Sequence, residues 1–413
     1  MKNEQFDVVI IGAGPSGATS AAMLSNLGWR VLVLEKQHFP RFSIGESLLP
    51  QCMEFLKLAG LEQHVHDHAA ELGFQFKNGA AFQKNNSYTE FDFTDKFSSG
   101  PGTTYQVKRA AFDKVLADGA QAKGADIRYG HQVETVNVDG EQPQLTVLDE
   151  AQNAYQVTGR YLLDASGFAR VLPRLLNLEK PSNFPVRQSY FAHVNDNITD
   201  ANFDRNKILI TVHPEHDDIW YWTIPFADGT CSVGVVAKPE QFNQGEKSTE
   251  EVLFDFIKQA PNLKSLLSNA TIANTAQTLT GYSADVSSLT GNNYALLGNA
   301  GEFLDPVFSS GVTIALSSAV LICPEIDKFL KGETVDFEQH FAQPLSAGVN
   351  CFKTFVTSWY EGGFQDVIFF EQSTDKIKQM ICSILAGYAW DTENPYVAQS
   401  ERRFSALVEV CRS

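Results

Sequence analysis

Four groups of residues in this 413-residue chain have the types and spacing to do chemistry. Gly12-Ala13-Gly14-Pro15-Ser16-Gly17 fits G-x-G-x-x-G, a run that brings a pyrophosphate against bare backbone at the start of a helix. Lys77 lies among Phe74, Phe76 and Phe82; desolvation by such neighbours lowers an amine's pKa and makes it a nucleophile and an acid–base group. Trp220-Tyr221-Trp222-Thr223-Ile224-Pro225 sets two bulky indoles with few rotamers beside a proline that fixes the following chain. Asp305-Pro306-Val307-Phe308-Ser309-Ser310-Gly311 reads as a strand-to-helix junction, and its N–H groups at Ser309, Ser310 and Gly311 suit an anion. Three of these also have plainer readings: a glycine-rich turn, a strand lysine with its head in solvent, and aromatic packing across a sheet.

The surrounding elements supply context. Phe6 to Ile11 (FDVVII) is a short apolar run ending in glycines, as a buried parallel strand reads. Ala18 to Leu27 is a helix, and Val31 to Leu34 a second strand ending at Glu35, which completes a βαβ unit. Gly12 permits the tight turn, Gly14 the approach of phosphate, and Gly17 the close packing of helix on strand. Glu35 is placed to accept from ribose hydroxyls, which disfavours a 2′-phosphate and hence NADP.

Further along, residues 76 to 104 show period-2 stretches, residues 106 to 124 a helical pattern, and residues 125 to 165 a meander ending in the strand Tyr161 to Asp164. Residues 185 to 280 are strand-rich (SYFAHV, KILITV, IWYWTIPF, CSVGVV) and read as one larger sheet. Tyr294 to Leu297 is a last apolar strand, and from Val312 the chain is mostly helical. There is no internal repeat and no low-complexity linker, so the first domain is read as discontinuous, interrupted by the second.

With the βαβ glycines, Asp164-Ala165-Ser166-Gly167 and Gly298-Asn299-Ala300-Gly301 make a trio that resembles the FAD-dependent monooxygenase and halogenase superfamily over roughly the first 330 residues. Arg41, Gly45-Glu46-Ser47-Leu48-Leu49-Pro50 and Arg109 resemble its other flavin-side signatures. The pattern W-x-W-x-I-P and the segment around Lys77 resemble flavin-dependent halogenases, closer to the phenol and pyrrole type than to tryptophan halogenases. The resemblance implies an α/β fold: a Rossmann-like FAD-binding domain (PHBH-like) with an inserted antiparallel β-sheet substrate domain and a C-terminal helical region. The corresponding divisions are 1–75, 105–180 and 281–335 for FAD, 76–104 and 181–280 for substrate, and 336–413 for the helices.

It implies FAD, used as FADH2, held by Gly12, Gly14, Pro15, Ser16, Gly17, Glu35, Lys36, Arg41, Ser47, Arg109, Val133, Asp164, Ala165, Gly167, Gly298, Asn299 and Asp305. Chloride or bromide would sit at Ser309, Ser310 and Gly311 and be oxidised to hypohalous acid. Trp220, Trp222, Ile224 and Pro225 would keep the organic substrate off the flavin, and Lys77 would direct the halogen to an electron-rich phenol-, pyrrole- or indole-like ring. Trp359, Tyr360 and Phe364 would line the substrate pocket. Two positions depart from the pattern. Asn299 stands where an aspartate is usual, and Phe308 where tryptophan halogenases carry a glutamate, which argues against free tryptophan as substrate.

No second G-x-G-x-x-G is present, which favours a separate flavin reductase as partner. The substrate is a small aromatic, free or tethered to a carrier protein. A monooxygenase or geranylgeranyl-reductase-like dehydrogenase on the same scaffold, or a non-catalytic flavin binder, are the competing readings. The net charge of −17 argues against nucleic acid and anionic membranes. Six scattered cysteines with no C-x-x-C pair fit reduced thiols, no apolar run is long enough to span a bilayer, and the N-terminus runs almost directly into a strand, so a cytoplasmic protein without a signal peptide is expected. His64-Val65-His66-Asp67-His68 puts His64 and His68 on one helix face without further ligands, so no metal site is expected.

Overall fold

Apolar side chains on both faces of a strand require cover on both faces, and β1 (Asn3–Ile11) obtains it. Val8 and Ile10 point to one hydrophobic cluster with the helices; Val9 and Ile11 point to another, shared with Val133, Leu145 and Val147 of a β-meander. The computed structural model describes residues 3–242 and 245–413; residues 1, 2, 243 and 244, which fall within the expected FAD and substrate divisions, lie outside the described residues.

β1 pairs in parallel with β2 (Val31–Glu35) and β10 (Ala154–Asp164). The sheet continues to β7 (Asp126–Tyr129) on one side and to β20 (Tyr294–Leu296) and β19 (Thr290–Gly291) on the other. The meander is β8 (Gln132–Asn137) and β9 (Gln144–Leu148), joined to β10. β10 begins at Ala154, several residues before the expected Tyr161, because its first half pairs with β9 and only its second half reaches β20. Helices α1 (Pro15–Asn26), α4 (Arg109–Ala122) and α8 (Ser310–Leu330) stack on the helical face, with α2 (Gln51–Leu58) against α8 and α3 (Glu62–Ala69) against α4.

The second large sheet runs β16 (Thr271–Ile272), β12 (Gln188–Asn195), β15 (Thr230–Ala237), β14 (Trp220–Pro225), β13 (Lys207–Val212), β4 (Gly79–Lys84), β5 (Ser87–Asp92), with β17 (Gln277–Thr280) also on β12. The sheet was expected to be antiparallel; β4 and β13 pair in parallel. These two strands come from segments far apart in the chain, so no hairpin turn dictates their direction. Residues 185 to 280, read as strand-rich and as one larger sheet, also contain α6 (Thr249–Ile257) and α7 (Pro261–Leu266). Leu253, Ile257 and Leu263 cover the outer face of the sheet with Tyr190, Leu209 and Tyr221. Two short ribbons complete the strands: β3 (Gln75–Lys77) with β6 (Thr104–Gln106), and β11 (Glu179–Lys180) with β18 (Asp285–Val286). The expected divisions at 75/76 and 104/105 cut through the first ribbon, whose two strands register Lys77 opposite Thr104.

α5 (Val171–Leu175) follows β10. The C-terminal helices are α9 (Gln343–Tyr360), α10 (Gly363–Ile368), α11 (Asp375–Leu385), α12 (Pro395–Ala398) and α13 (Ser400–Arg412). No helix among the described residues is long and apolar enough to cross a membrane.

The turn after β1 is the tightest point of the fold. A Cβ on Gly17 would lie 2.0 Å from the Gly12 carbonyl oxygen, so α1 leans on the turn closer than any side chain allows. Gly17→Ala should therefore lower the melting temperature, by about 1–3 kcal/mol of stability, and weaken FAD retention. Unchanged melting and flavin affinity would show that this close approach is not required.

Candidate active site

A cavity of about 730 Å³ follows the seam between the two large sheets. Of the residues expected to hold FAD, Gly12, Gly14, Pro15, Ser16, Glu35, Lys36, Arg41, Ser47, Arg109, Val133, Ala165, Gly167 and Asn299 line it. α1 begins at Pro15 with no side-chain cap, leaving its first N–H groups free for an anion. The free helix end, the Gly12 turn and a cavity long enough to reach the tryptophans fit an FAD laid across the seam.

Carboxylates around this cavity are largely committed to the protein itself. Glu35 Oε2 accepts from the Ala13 N–H at 2.9 Å and Oε1 from Gln37, so it fixes the glycine turn as well as facing the ribose position. Asp113, fully buried and not anticipated, accepts from Arg109 Nε at 2.7 Å and Nη2 at 3.0 Å, and from Arg41 Nη1 at 3.3 Å. Its signal was the i, i+4 spacing from Arg109. Asp164 was expected among the flavin contacts. It lies behind the cavity instead, because its oxygens accept from the Ser166 and Leu172 N–H groups and hold the turn. Gly17, Gly298 and Asp305 also stand outside the cavity wall. Asn299 lines it, beside a loop whose carbonyls at Asn299 and Gly301 accept from the buried Arg170.

At the far end, strand alternation decides what faces the cavity. Trp220, Trp222 and Ile224 line it, while Tyr221 points to the outer core. Pro225 does not reach the wall. The indole centroids are 5.8 Å apart, with Trp222 Nε1 donating to Ser232 Oγ at 3.1 Å and Trp220 Nε1 to Tyr360 OH at 3.0 Å. Room for Trp222 comes from Gly234 opposite it: a Cβ there would lie 2.2 Å from the ring.

Ser309 and Gly311 line the cavity where α8 begins; Ser310 is turned inward. Ser309 has φ 56°, and no side chain caps α8. Asp305 Oδ1 accepts from Val307 N–H at 3.0 Å and Oδ2 from Tyr360 OH at 2.9 Å, so Tyr360 ties this loop to Trp220. Burial pushes the Asp305 carboxyl up to about 6, against the opposing pull of Val307 N–H, Tyr360 and Arg187. Trp359, Tyr360 and Phe364, expected in a substrate pocket, do not line the cavity. Trp359 and Phe364 are fully buried and pack edge-on against Phe308, at 5.9 and 5.0 Å, because the α9 and α10 faces that carry them meet the core.

Lys77 is 0% exposed and also outside the cavity wall. Its amine donates to Ser47 Oγ at 2.7 Å and to the Leu48 carbonyl at 2.8 Å, and lies 5.4 Å from the Phe93 ring. Burial pulls the amine down to about 7, opposed only by the Cys52 thiol. Phe76, expected to help enclose it, is 45% exposed, since strand alternation turns it to the opposite side. On the Lys77 side of the ribbon, Thr104 Oγ1 and Gln106 Oε1 are buried without hydrogen-bond partners. The rings of His64 and His68 are 4.6 Å apart, and no group of three metal-ligating side chains occurs among the described residues.

Residues 5–337 match the FAD binding domain family. The chain is 31% identical over 357 residues to the flavin-dependent halogenase armH1 of Armillaria mellea, covering 80% of this chain and 66% of that one. It thus spans slightly less than two thirds of that relative's length. It is 27% identical to a 1H-pyrrole-2-carbonyl-[peptidyl-carrier protein] chlorinase of Pseudomonas fluorescens, over 99% of this chain and 95% of that one. Its fold superimposes on a flavoprotein/dehydrogenase of Cytophaga hutchinsonii with a TM-score of 0.94 and 39% identity, over 99% of both chains.

The raised Asp305 has a consequence for stability. Its folded pKa lies above the ordinary 3.8, so the folded chain holds this proton to higher pH than the unfolded one, and the cost of burying the carboxylate builds from about pH 4 and is complete above about 6. Asp305→Asn should gain stability relative to the unaltered protein between pH 4 and 7, by up to about 3 kcal/mol at the upper end. A difference independent of pH in thermal melts would contradict this.

Proposed function

Because this chain belongs to the FAD-binding family that includes the flavin-dependent halogenases, we propose that it halogenates an electron-rich aromatic ring by way of hypohalous acid and Lys77. The observation that carries the reading is the Lys77 amine, fully buried, without a carboxylate partner and held near neutrality. A lysine kept only for stability gains nothing from such a site. A lysine that must react with an electrophilic halogen needs its lone pair free.

FAD would lie along the cavity with its pyrophosphate at the start of α1 and its ring system near Trp220 and Trp222. Bound as FADH2 it supplies the electrons with which dioxygen oxidises chloride or bromide. The free N–H groups at the start of α8, beside Ser309 and Gly311, hold the halide. The two indoles and Ile224 exclude the organic ring from the cavity. Lys77 then receives hypohalous acid and turns the halogen toward the substrate. Thr104 Oγ1 and Gln106 Oε1, both buried acceptors without partners, suit a ring bearing its own N–H or O–H, such as a pyrrole or phenol. Phe308 packs against Trp359 and Phe364 where a catalytic glutamate would be needed for free tryptophan. Reducing equivalents come from a separate flavin reductase.

A second reading is a flavin dehydrogenase. It is favoured by the 39% identical flavoprotein/dehydrogenase and by the enclosure of Lys77 away from the cavity.

FADH2 supplied by a generic reductase, with bromide and a panel of phenol, pyrrole and indole, should give brominated product by mass. Lys77→Ala and Lys77→Arg should lose at least about 100-fold in product while binding FAD normally. The rate should rise as pH passes about 7, where the amine sheds its proton. Substrate oxidation without bromide dependence would support the dehydrogenase instead.

A further inference from the structure

Ser47 joins the flavin cavity to the buried Lys77 amine. Ser47 lines the cavity; Lys77 and Leu48 do not. Its Oγ accepts from Lys77 Nζ at 2.7 Å, and its own hydroxyl proton has no acceptor among the described residues. Its backbone is fixed by a bridge to Gln106, so the hydroxyl is aimed by the same ribbon that carries Lys77. Around the amine stand the Leu48 carbonyl, the Phe93 ring, and Cys52, whose thiol is engaged with Thr313 Oγ1 at 3.2 Å. Among the described residues, Cys52 is the one titratable side chain that acts on Lys77.

An ammonium cannot attack a halogen. Lys77 must first lose a proton, and among the described residues it has no carboxylate or imidazole to take it. We propose that Ser47 is the relay between the flavin cavity and Lys77, a positioning residue whose hydroxyl holds the amine and carries its proton to cavity water. This rests on the halogenase reading above. The ammonium N–H proton passes to Ser47 Oγ while the serine's own proton passes to water, leaving serine unchanged. The free amine then meets hypohalous acid: an N–X bond forms, the O–X bond breaks, and the oxygen leaves as water with the proton from nitrogen. The halogen stays at the same oxidation level throughout, so no further oxidant is needed.

The full chain is tested as Ser47→Ala, Ser47→Thr and Lys77→Ala. Cyanate, which reacts with unprotonated amines, is applied to flavin-free protein, and carbamylation of Lys77 is followed against pH by peptide mass. The unaltered protein should show a midpoint near 7. Ser47→Ala, which removes an acceptor from the ammonium, should lower that midpoint by at least about 0.5 unit, and Ser47→Thr should restore it. In turnover with FADH2 and bromide, Ser47→Ala should form product at least about 10-fold more slowly and release hypobromous acid to a solution trap, while Ser47→Thr recovers coupling. Product and trapped hypobromous acid are read per bound flavin, so that a change in FAD affinity at this cavity-lining position does not enter the comparison. An unmoved midpoint, undiminished product per bound flavin in Ser47→Ala, or absence of Lys77 labelling would each overturn the relay. If the unaltered protein oxidises no bromide, the halogenase reading fails first. A serine-insensitive midpoint defeats the relay alone.

Discussion

An amine taken out of water without a counter-charge is the constraint on which this structure turns. Lys77 sits on a three-residue strand, under Phe93 and against the start of α2, and among the described residues two oxygens accept from it. Desolvating an ammonium is expensive, and the protein does not offset it with an acid, so the neutral form becomes accessible at ordinary pH. The β3–β6 ribbon, the Gly45–Pro50 loop and α2 meet around that one nitrogen. The ribbon joins the division expected for FAD to the one expected for substrate.

The acids that lie near the cavity are used differently. Asp113 gathers Arg41 and Arg109, Asp164 accepts two backbone N–H groups, and Asp305 caps the loop before α8. Each fixes a backbone turn or a cation that faces the cofactor position. Much of the negative charge near the cavity is thereby engaged by the scaffold, and backbone N–H groups, the Arg41 and Arg109 guanidinium groups and the two indoles face the cavity beside Glu35. That is the right environment for an anionic cofactor and a halide.

Much of this was legible before the fold was known. The glycine run and the strand that follows its helix read correctly because spacing and local sterics decide them. The tryptophan strand shows its two-faced character in its own alternation. Other features depend on contacts between distant residues. The parallel pairing of β4 with β13, the covering pair α6 and α7, and the partnership of Ser47 with Lys77 carry no local mark. Phe76 shows the limit most simply: proximity in sequence suggested shelter for Lys77, whereas the pleat sends it to the other side. Phe93, which does the sheltering, arrives from beyond the next hairpin. Trp359 and Phe364 stand outside the cavity wall for a related reason, since an aromatic on a helix declares burial but not what it is buried against.

The vacancy at Gly234 gives the tryptophan wall an adjustment screw. Trp222 owes its position to a missing side chain on the neighbouring strand, on the same face of the sheet. Its ring is anchored at one edge by Ser232. Any bulk added at position 234 would lift the indole bodily into the cavity. The aperture between flavin and sheet can thus be narrowed from underneath, by one residue that touches neither cofactor nor substrate. Diversification of the passage in relatives of this chain is open to a site that a survey of cavity-lining residues would overlook.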